Sequence, residues 1–239
     1  MNPRISVVMP AYNECEILSS SVQTVVEGMR ARGAQFELLI VENGSNDGTF
    51  AIAKDLADGL TEVRVEHLDE ADYGRALQAG VLSARGDAVV NFDTDYFDLD
   101  FLDAAVAQVL GPDGPAIVVG SKRAAGASDE RDALRRFATS VFSTILRVVF
   151  GLRVSDTHGV KAMRRAAVEP YARVCEFGQD LFDTELILRV ERAGLRTAEI
   201  PVEVRELRPA RSSFLSRVPR TLRGLCKLRW TLWKEPRRL

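Results

Sequence analysis

The sequence predicts an α/β fold, in which helices cover both faces of a mainly parallel sheet. Short apolar runs alternate with stretches of helical periodicity through the first half of the chain. The turn-forming sequence ENGSNDGT follows the second apolar run. This alternation is typical of βαβ units, whose parallel strands are joined by crossover helices. Ligands of such sheets bind beyond the carboxyl ends of the strands, so polar residues there are the functional candidates.

The predicted elements follow this order along the chain. We predict strands over residues 5–9, 36–41, 63–66, 88–92 and 117–120. Helices are predicted over residues 16–32, 50–60, 74–83 and 99–109, with Thr49 capping the second of them. The pattern then changes to a helical stretch over 129–150, followed by a loop, a further helix and a strand over 197–204.

The charge of the chain is unevenly distributed. The formal net charge is −2, yet residues 203–239 hold 11 Lys and Arg against 3 Asp and Glu. An acidic body with a basic tail argues against a nucleic-acid-binding surface and for one local anionic partner of the tail.

The cysteines and the N-terminal sequence indicate the cellular compartment in which we expect the protein. Cys15, Cys175 and Cys226 are odd in number and far apart, which predicts neither a disulfide framework nor a zinc site. The chain begins MNPRISVVMPAYNE without a basic, then apolar, leader, and no run of 18 apolar residues occurs. We therefore expect a cytoplasmic protein that does not span the membrane.

Polar and aromatic residues follow the first two predicted strands. Tyr12 and Glu14 come after the first strand, and Glu42 and Asn43 come after the second. An aromatic ring can stack on a base, and carboxylate or amide groups can bind a base edge or a ribose hydroxyl. The alternative interpretation is a pair of ordinary turns, the first with Asn13 as a helix cap.

The segment NFDTDYFD carries the strongest chemical signal. An apolar strand runs directly into the carboxylates of Asp93, Asp95 and Asp98. Such clustering costs stability unless a cation offsets the charge, and Mg²⁺ or Mn²⁺ typically binds one or two carboxylates together with substrate phosphate oxygens. The alternative is an acidic helix N-terminus, which we prefer for Asp98 and Asp100.

Six segments in order resemble the family-two glycosyltransferases: VVMPAYNE, VENGSNDGT, YGRALQAG, FDTD, VGSKR and DTHGVKAMRR. The resemblance covers residues 4–208 and implies a GT-A fold. Within that family the chain is most similar to polyprenyl-phosphate sugar synthases of the dolichyl-phosphate glucose and mannose type. Those enzymes carry a D-x-x-G-F-[KR]-like segment that resembles Asp156 to Lys161, and an F-D-x-E-L segment that resembles Phe182 to Leu186.

The resemblance also implies roles for individual residues. Contacts to the base, the ribose and the diphosphate are implied for Pro10, Tyr12, Glu14, Glu42, Asn43, Gly74, Arg75, Asp93, Thr94, Asp95, Lys122 and Arg123. Asp93 and Asp95 match the D-x-D motif that holds Mg²⁺ or Mn²⁺, with Asp95 as the direct ligand. Catalytic roles are implied for Asp93, Asp156 and Asp183.

The sequence departs from the family pattern at three places. Glu42-Asn43 stands where two aspartates are usual, so the base of the donor is left open between UDP- and GDP-sugars. Val160 replaces an aromatic residue, and His158 stands where small residues are common. His158 is either a third metal ligand or only a hydrogen-bonding loop residue. We interpret His67 as structural.

The acceptor is inferred from two features. Asp183 is a candidate general base or acceptor-orienting group, with a helix-start carboxylate as the alternative. The second feature is a predicted helix that begins at residue 218 and has two stripes of side chains. The basic stripe consists of Arg220, Arg223, Lys227 and Lys234, and the apolar stripe consists of Val218, Leu222, Leu225 and Leu232. The same helix also carries Trp230 and Trp233. This pattern is typical of an interfacial helix on anionic lipid; the alternatives are docking on the protein's own core or a homodimer contact.

These inferences combine into one hypothesis. The chain is predicted to be an inverting, metal-dependent hexosyltransferase that uses a nucleoside diphosphate sugar and a polyprenyl phosphate, peripheral on the inner membrane face. A soluble saccharide or small-metabolite acceptor and a non-catalytic nucleotide-sugar-binding module are the alternatives. We predict a GT-A domain over 1–210, with a nucleotide-binding half (1–122) and an acceptor-side half (123–210), and a basic extension over 211–239.

Overall fold

The computed structural model describes residues 3–121, 144–157, 159–179, 181–202 and 214–235, and of residues 214–219 only the backbone. The strands are β1 (Ile5–Ala11), β2 (Phe36–Asn43), β3 (Val63–Leu68), β4 (Ala88–Asn91), β5 (Ile117–Ser121), β6 (Lys161–Arg164) and β7 (Thr197–Pro201). The helices are α1 (Leu18–Ala31), α2 (Thr49–Gly59), α3 (Tyr73–Ser83), α4 (Leu99–Val109), α5 (Arg165–Arg173), α6 (Phe182–Arg192) and α7 (Phe214–Lys234). A π-helical turn spans Leu146–Phe150.

The seven strands form one mixed sheet in the order β3-β2-β1-β4-β6-β5-β7. Strands β1 to β4 are mutually parallel, and β7 is parallel to β5. Strand β6 pairs antiparallel with both β4 and β5. The predicted α/β class with a mainly parallel sheet is therefore confirmed. The sequence analysis did not predict β6, because its four residues carry no extended apolar run and lie inside a motif-like segment.

The central strands are buried on both faces, as the parallel arrangement requires. Alternate side chains of β1 enter two separate cores, with Val7 and Met9 on one side and Val8 on the other. Helix α3 packs directly on the Val8 side: a Cβ on Gly80 would stand 2.2 Å from Val8 Cγ1. Because α3 follows β3, which runs parallel to β2 and β1, the N-terminus of α3 lies at the carboxyl edge of the sheet.

Helix α7 packs on the protein's own core. Leu225, Leu228 and Leu232 are buried in the cluster that also holds α6. Arg189 of α6 forms an ion pair with Glu235. The alternative interpretation of a docked C-terminal helix is thus confirmed, and the predicted apolar stripe is half right: Leu225 and Leu232 are buried, while Leu222 is exposed. Within the described ranges, none of the helices is both long and apolar enough to cross a lipid bilayer.

Most of the helix predicted over 129–150 lies outside the described residues. Its described end is helical up to Phe150, where Gly151 terminates it in a left-handed conformation (φ 72°). Leu146 is buried in this turn, whereas Val148 is 78% exposed. One side of the segment therefore packs on the core and the other is apolar and uncovered by any described residue.

Candidate active site

Three loops with functional candidates meet at one edge of the sheet. Strands β1, β2 and β4 are parallel, so their carboxyl ends lie together, with Ala11 beside Glu42 and Val8 beside Asn91. The loops that follow these strands contain the predicted donor contacts. The sheet topology therefore brings together residues that are about 80 positions apart in the sequence.

The loops after β1 and β2 are joined to each other by hydrogen bonds. The Asn13 amide donates to Ser45 Oγ (2.9 Å), the Asn46 amide donates to Asn13 Oδ1 (2.9 Å) and the Glu14 amide donates to Thr49 Oγ1 (2.8 Å). Asn13 adopts a left-handed conformation (φ 54°), which asparagine tolerates better than most residues. Tyr12 remains 43% exposed at this edge, consistent with a stacking surface.

Glu42 and Asn43 are buried and are bonded within the protein. Glu42 Oε1 accepts from the Ser45 amide (2.6 Å), and Glu42 Oε2 lies 2.5 Å from His67 Nδ1. With its amide oriented by its neighbours, Asn43 donates to the Ala11 carbonyl (2.7 Å) and accepts from the Asp72 amide (3.2 Å). These contacts brace the sheet edge. A role for either residue in recognising the base stays a prediction.

His67 has the structural position that the sequence analysis gave it. Besides its contact with Glu42, its ring stacks on Phe50 with the centroids 4.4 Å apart. The histidine therefore connects β3 to α2 and lies in no group of metal-ligating side chains among the described residues.

The D-x-D segment forms a tight turn beyond β4. The amide of Asp93 donates to the Tyr96 carbonyl (3.1 Å), and the Thr94 carbonyl accepts from Ser21 Oγ (2.6 Å). Thr94 is buried, Asp93 is half-buried and Asp95 is exposed. The turn thus fixes its backbone against α1 and leaves the Asp95 carboxylate facing solvent.

Asp98 caps the following helix. Its Oδ1 accepts from the amides of Asp100 and Phe101, each at 2.9 Å. The helix-start interpretation of Asp98 is confirmed by this geometry. The acidic run is therefore divided between one capping carboxylate and two carboxylates that face the sheet edge.

Tyr73, the first residue of α3, holds Asp93. Its hydroxyl donates to Asp93 Oδ1 at 2.7 Å. Although 37% of the Tyr73 surface is exposed, the hydroxyl end is enclosed by carboxylates, and this burial together with the charges of Asp93 and Asp183 raises the pKa of Tyr73 well above its ordinary value. Tyr73 is accordingly a neutral hydrogen-bond donor to Asp93.

Lys161 and Asp183 form a buried ion pair under the same cluster. Lys161 Nζ lies 3.2 Å from Asp183 Oδ1 and donates to the Gly159 carbonyl at 2.6 Å. The two side chains are 2% and 7% exposed. Strand β6 presents Lys161 and helix α6 presents Asp183, so the antiparallel strand that the sequence analysis missed completes this part of the site.

Asp156 lies in the loop before β6 and is buried. In the same loop the Thr157 hydroxyl hydrogen-bonds with the Thr184 hydroxyl (2.9 Å), which ties the loop to α6 beside Asp183. The structure thus places Asp156 near the predicted acceptor side. Its catalytic role stays a prediction.

The structure brings three predicted carboxylates into one electrostatic cluster. Burial raises the pKa of Asp93, and the charges of Asp95 and Asp183 raise it further, while the Tyr73 hydroxyl and Lys161 oppose them. Repulsion of this kind is relieved when a cation binds. The carboxylate oxygens of Asp93 and Asp95 are hard ligands in a region of excess negative charge, which fits Mg²⁺ or Mn²⁺. Such an ion typically completes its coordination with phosphate oxygens and water. No group of three or more His, Cys, Asp or Glu is assembled for a metal among the described side chains.

Three predicted site residues, Lys122, Arg123 and His158, lie outside the described residues. Their predicted contacts with the diphosphate and the metal stay predictions. Pro10 is buried at the end of β1, where it belongs to the sheet edge rather than to an exposed surface.

Gly74 and Arg75 hold the segment of residues 176–179 against α3. A Cβ on Gly74 would stand 2.6 Å from the carbonyl carbon of Gly178, so only glycine permits this contact. Arg75 Nη2 donates to the Glu176 carbonyl (2.6 Å), and Asp72 Oδ1 accepts from the Gln179 amide (2.5 Å). These contacts position the segment that leads into α6. The predicted contact of Gly74 and Arg75 with a nucleotide stays a prediction.

Sequence reasoning missed Tyr73, Lys161 and Asn91. Lys161 ends the D-x-x-G-x-K segment and Tyr73 precedes Gly74, so the motifs contained both without indicating their contacts. Asn91 Oδ1 is buried and has no hydrogen-bond partner among the described residues, next to the β4–β6 pairing with Lys161. No sequence pattern signals such an unpaired carbonyl oxygen.

Comparison with protein families identifies this arrangement. The sequence model of the family "Glycosyl transferase family 2" matches residues 6–171. This range includes the carboxyl edge of the sheet, Tyr73, the D-x-D turn and Lys161. The chain belongs to glycosyl transferase family 2. The predicted family resemblance is thereby confirmed.

Two curated relatives agree with the family assignment. The glycosyltransferase AglD of Haloferax volcanii is 32% identical over 204 residues, which cover 83% of this chain and 32% of AglD. The dolichyl-phosphate beta-glucosyltransferase ALG5A of Trichomonas vaginalis is 28% identical over 216 residues, covering 85% of this chain and 66% of ALG5A. The chain thus spans about a third of the first relative and somewhat less than two thirds of the second.

Solved structures confirm the GT-A fold. The mannosyltransferase PcManGT from Pyrobaculum calidifontis, solved with GDP-Man and Mn²⁺, superimposes with a TM-score of 0.65 at 22% identity, over 99% of this chain and 66% of that one. Glucosyl-3-phosphoglycerate synthase from Mycobacterium tuberculosis, solved with Mn²⁺, UDP and phosphoglyceric acid, gives a TM-score of 0.63 at 21% identity, over 98% and 80%. At these sequence identities, both similarities are evidence for the fold alone.

Tyr73 is the residue of this family-two site whose contribution is most simply tested. Tyr73→Phe removes the hydrogen bond to Asp93 and leaves the ring in place, so we expect Mn²⁺-dependent binding of nucleotide to weaken about tenfold, since hydrogen bonds to charged groups contribute roughly 1.5–3 kcal/mol. Calorimetric titration measures the change. Tyr171→Phe, on α5, is the matched control and should bind as the wild type does. If both variants bind the nucleotide equally well, Tyr73 does not contribute to the binding site.

Proposed function

We propose that this chain is an inverting, metal-dependent glycosyltransferase that moves a hexose from a nucleoside diphosphate sugar to a polyprenyl phosphate. The observation that carries the proposal is the cluster of Asp93, Asp95 and Asp183, braced by Tyr73 and Lys161, at the carboxyl edge of a family-two sheet. Relatives named for dolichyl-phosphate and undecaprenyl-phosphate acceptors support a lipid phosphate as acceptor.

The D-x-D turn is suited to hold Mg²⁺ or Mn²⁺ against the diphosphate of the donor. Asp95 is exposed and would contact the ion, while Asp93 is held in place by the Tyr73 hydroxyl. A bound ion would supply positive charge where negative charge develops on the departing nucleoside diphosphate. Lys122 and Arg123, which follow β5 in the sequence, are proposed to add further positive charge.

The transfer requires one displacement at the anomeric carbon. An oxygen of the acceptor phosphate attacks that carbon, the bond to the diphosphate oxygen breaks, and the nucleoside diphosphate leaves with the electron pair. A phosphate oxygen is already ionised at neutral pH, so no base is needed to deprotonate it. Asp183, fixed by Lys161 on one oxygen, then serves to orient the acceptor. With a hydroxyl acceptor, Asp183 would have to act as general base.

A donor screen tests the proposal. With Mn²⁺ present, the cognate member of a panel of UDP-, GDP- and dTDP-sugars should raise the thermal midpoint, because a ligand at about 100 times its Kd contributes about 2.7 kcal/mol of stability. The same donor should then be transferred to a polyprenyl phosphate only when Mg²⁺ or Mn²⁺ is added. Transfer to soluble saccharides or metabolites alone would overturn the lipid acceptor. Donor binding without transfer to any acceptor would indicate a non-catalytic nucleotide-sugar-binding module.

We further propose that the solvent-facing side of α7 contacts the inner membrane surface. Trp230 and Trp233 are 58% and 66% exposed, and Leu222 lies on the same exposed side together with Arg223 and Lys227. Exposed tryptophans among cations are typical of helices that lie in the headgroup region. Because the leucines of α7 are buried in the core, we propose that the helix meets the membrane while it remains docked on the protein.

The membrane contact is tested without shortening the chain, because α7 belongs to the core. Leu222→Ser with Trp233→Ser should weaken binding to vesicles of phosphatidylglycerol and phosphatidylcholine about tenfold or more, since full burial of one large apolar side chain contributes roughly 1.5–3 kcal/mol. Vesicle sedimentation measures it. Val174→Ser, an exposed apolar residue after α5, is the control. If the wild type fails to sediment with the vesicles, the membrane proposal is wrong.

A further inference from the structure

A groove runs between α7 and a facing wall formed by residues 176–179 and Leu181. It comprises two adjoining cavities of about 360 and 500 Å³, and Phe177 and Lys227 line both of them. We call it the α7 groove. It lies outside the donor site formed by the loops after β1, β2 and β4.

One end of the α7 groove is basic. Arg220, Arg223 and Lys227 line it from α7 at spacings of three and four residues, which place them on one face of the helix. Arg223 and Lys227 have no carboxylate within ion-pair distance in the described parts of the chain. Asp72 lies on the opposite wall, where its Oδ1 already accepts from the backbone amides of Arg75 (2.9 Å) and Gln179 (2.5 Å). Because Arg223 and Lys227 have no ion-pair partner among the described residues, they give this end of the groove a positive charge.

The other end of the groove carries two aromatic side chains. It is lined by Glu176 and Phe177 from the facing segment and by Cys226, Trp230 and Thr231 from α7. The backbone that carries Phe177 is fixed by α6, because Glu185 Oε2 accepts from the amides of Glu176 (3.0 Å) and Phe177 (2.9 Å). A fixed wall reduces the ordering cost of binding a flexible chain.

The basic end of the groove is formed in part by segments that lead directly to Tyr73 and Asp183. Leu181, which lines this end, precedes Asp183 by two residues in the chain. Asp72 on the same wall precedes Tyr73, whose hydroxyl binds Asp93. A phosphate bound by Arg223 and Lys227 would therefore lie at the acceptor side of the reacting centre, and a chain attached to it would extend toward Trp230.

We propose that the α7 groove binds the acceptor, with the phosphate at Arg223 and Lys227 and the first isoprene units between Phe177 and Trp230. The inference rests on the proposed function and assigns its acceptor subsite. A basic end joined to an aromatic end matches an amphiphile that carries a phosphate on an apolar chain. Guanidinium and ammonium groups are suited to phosphate oxygens, and aromatic rings to isoprene units.

The test separates this groove from general attraction to anionic lipid. Arg223→Gln with Lys227→Gln should raise KM for a short-chain polyprenyl phosphate, presented in uncharged detergent without phospholipid, at least about tenfold. The Kd for the nucleotide donor should not change. Arg196→Gln with Arg229→Gln removes the same charge from exposed positions outside the groove and is the matched control. Equal effects of the two pairs, or no effect of the first, would overturn the subsite.

Direct binding distinguishes failure of the subsite from failure of the proposed function. Trp230 and Trp233 are the two tryptophans of the chain, so Trp233→Phe leaves Trp230 as the fluorescent reporter in the groove. Polyprenyl phosphate should change its emission, and Arg223→Gln with Lys227→Gln should weaken that response at least about tenfold. A response that survives the substitutions overturns the subsite even if transfer occurs. A response that they abolish supports the subsite even if the wild type transfers sugar only to another acceptor.

Discussion

Asp95→Ala is expected to abolish metal-dependent binding of the nucleotide sugar and to leave the fold intact. The Asp95 side chain is exposed, and the D-x-D turn is held by the backbone of Asp93, Thr94 and Tyr96 rather than by that carboxylate. Loss of a group that only supports a metal ligand typically costs 10- to 100-fold in affinity, so loss of a direct ligand should cost about 100-fold or more. Calorimetry with Mn²⁺ and the cognate donor measures this directly.

A nearby carboxylate provides the matched control. Asp100 is fully exposed and, among the described residues, its carboxylate pairs with Arg32 alone, so Asp100→Ala should leave donor binding unchanged and alter stability by no more than about 0.5 kcal/mol. Both variants should unfold near the wild-type midpoint. Donor binding by Asp95→Ala that equals that of Asp100→Ala would mean that the D-x-D turn is not the metal site.

Lys161→Met is expected to produce the largest loss of stability. The substitution leaves Asp183 buried without its cation, and breaking a buried pair from one side typically costs about 3–5 kcal/mol. Urea unfolding should show a lower midpoint with an unchanged slope. Arg173→Met, which breaks a surface pair with Glu169, is the control and should cost at most about 1 kcal/mol.

The double variant separates structural from catalytic consequences. Lys161→Met with Asp183→Asn removes both charges, so much of the stability lost in Lys161→Met should return. Activity should not return if Asp183 touches the acceptor. If Lys161→Met is as stable as Arg173→Met, the ion pair contributes little and Lys161 must be explained by another role.

The sequence was sufficient for those parts of the site that rest on local patterns. The βαβ alternation predicted the parallel half of the sheet, and the run of carboxylates after β4 predicted both the D-x-D turn and the Asp98 cap. Helix α2 begins at Thr49 with Gly48 at its N-cap, so the prediction that Thr49 caps it is wrong; the amide and the hydroxyl of Thr49 both donate to Asp47 Oδ1 instead. Each of these features depends on neighbours within a few residues.

The rest of the site depends on contacts between distant segments. Tyr73 meets Asp93 across 20 positions and Lys161 meets Asp183 across 22, and neither spacing is periodic. Glu42 and Asn43 were predicted from their place at a strand end, but their bonds to His67, Ala11 and Asp72 follow from how three loops pack. The amphipathic pattern of α7 was visible in the sequence, whereas the surface that covers its leucines was decided only by tertiary packing.

The connection between α7 and the segment of residues 176–179 has a practical consequence. Glu235 pairs with Arg189, Arg189 binds Glu185 at 2.8 Å, and Glu185 holds the amides of Glu176 and Phe177. In hydrogen-exchange terms, α7, α6 and this segment belong to one cooperative unit, so the two amides should lose protection together with the end of α7. A shortened protein that lacks Glu235 is therefore unsuitable as a reagent for separating lipid attachment from catalysis.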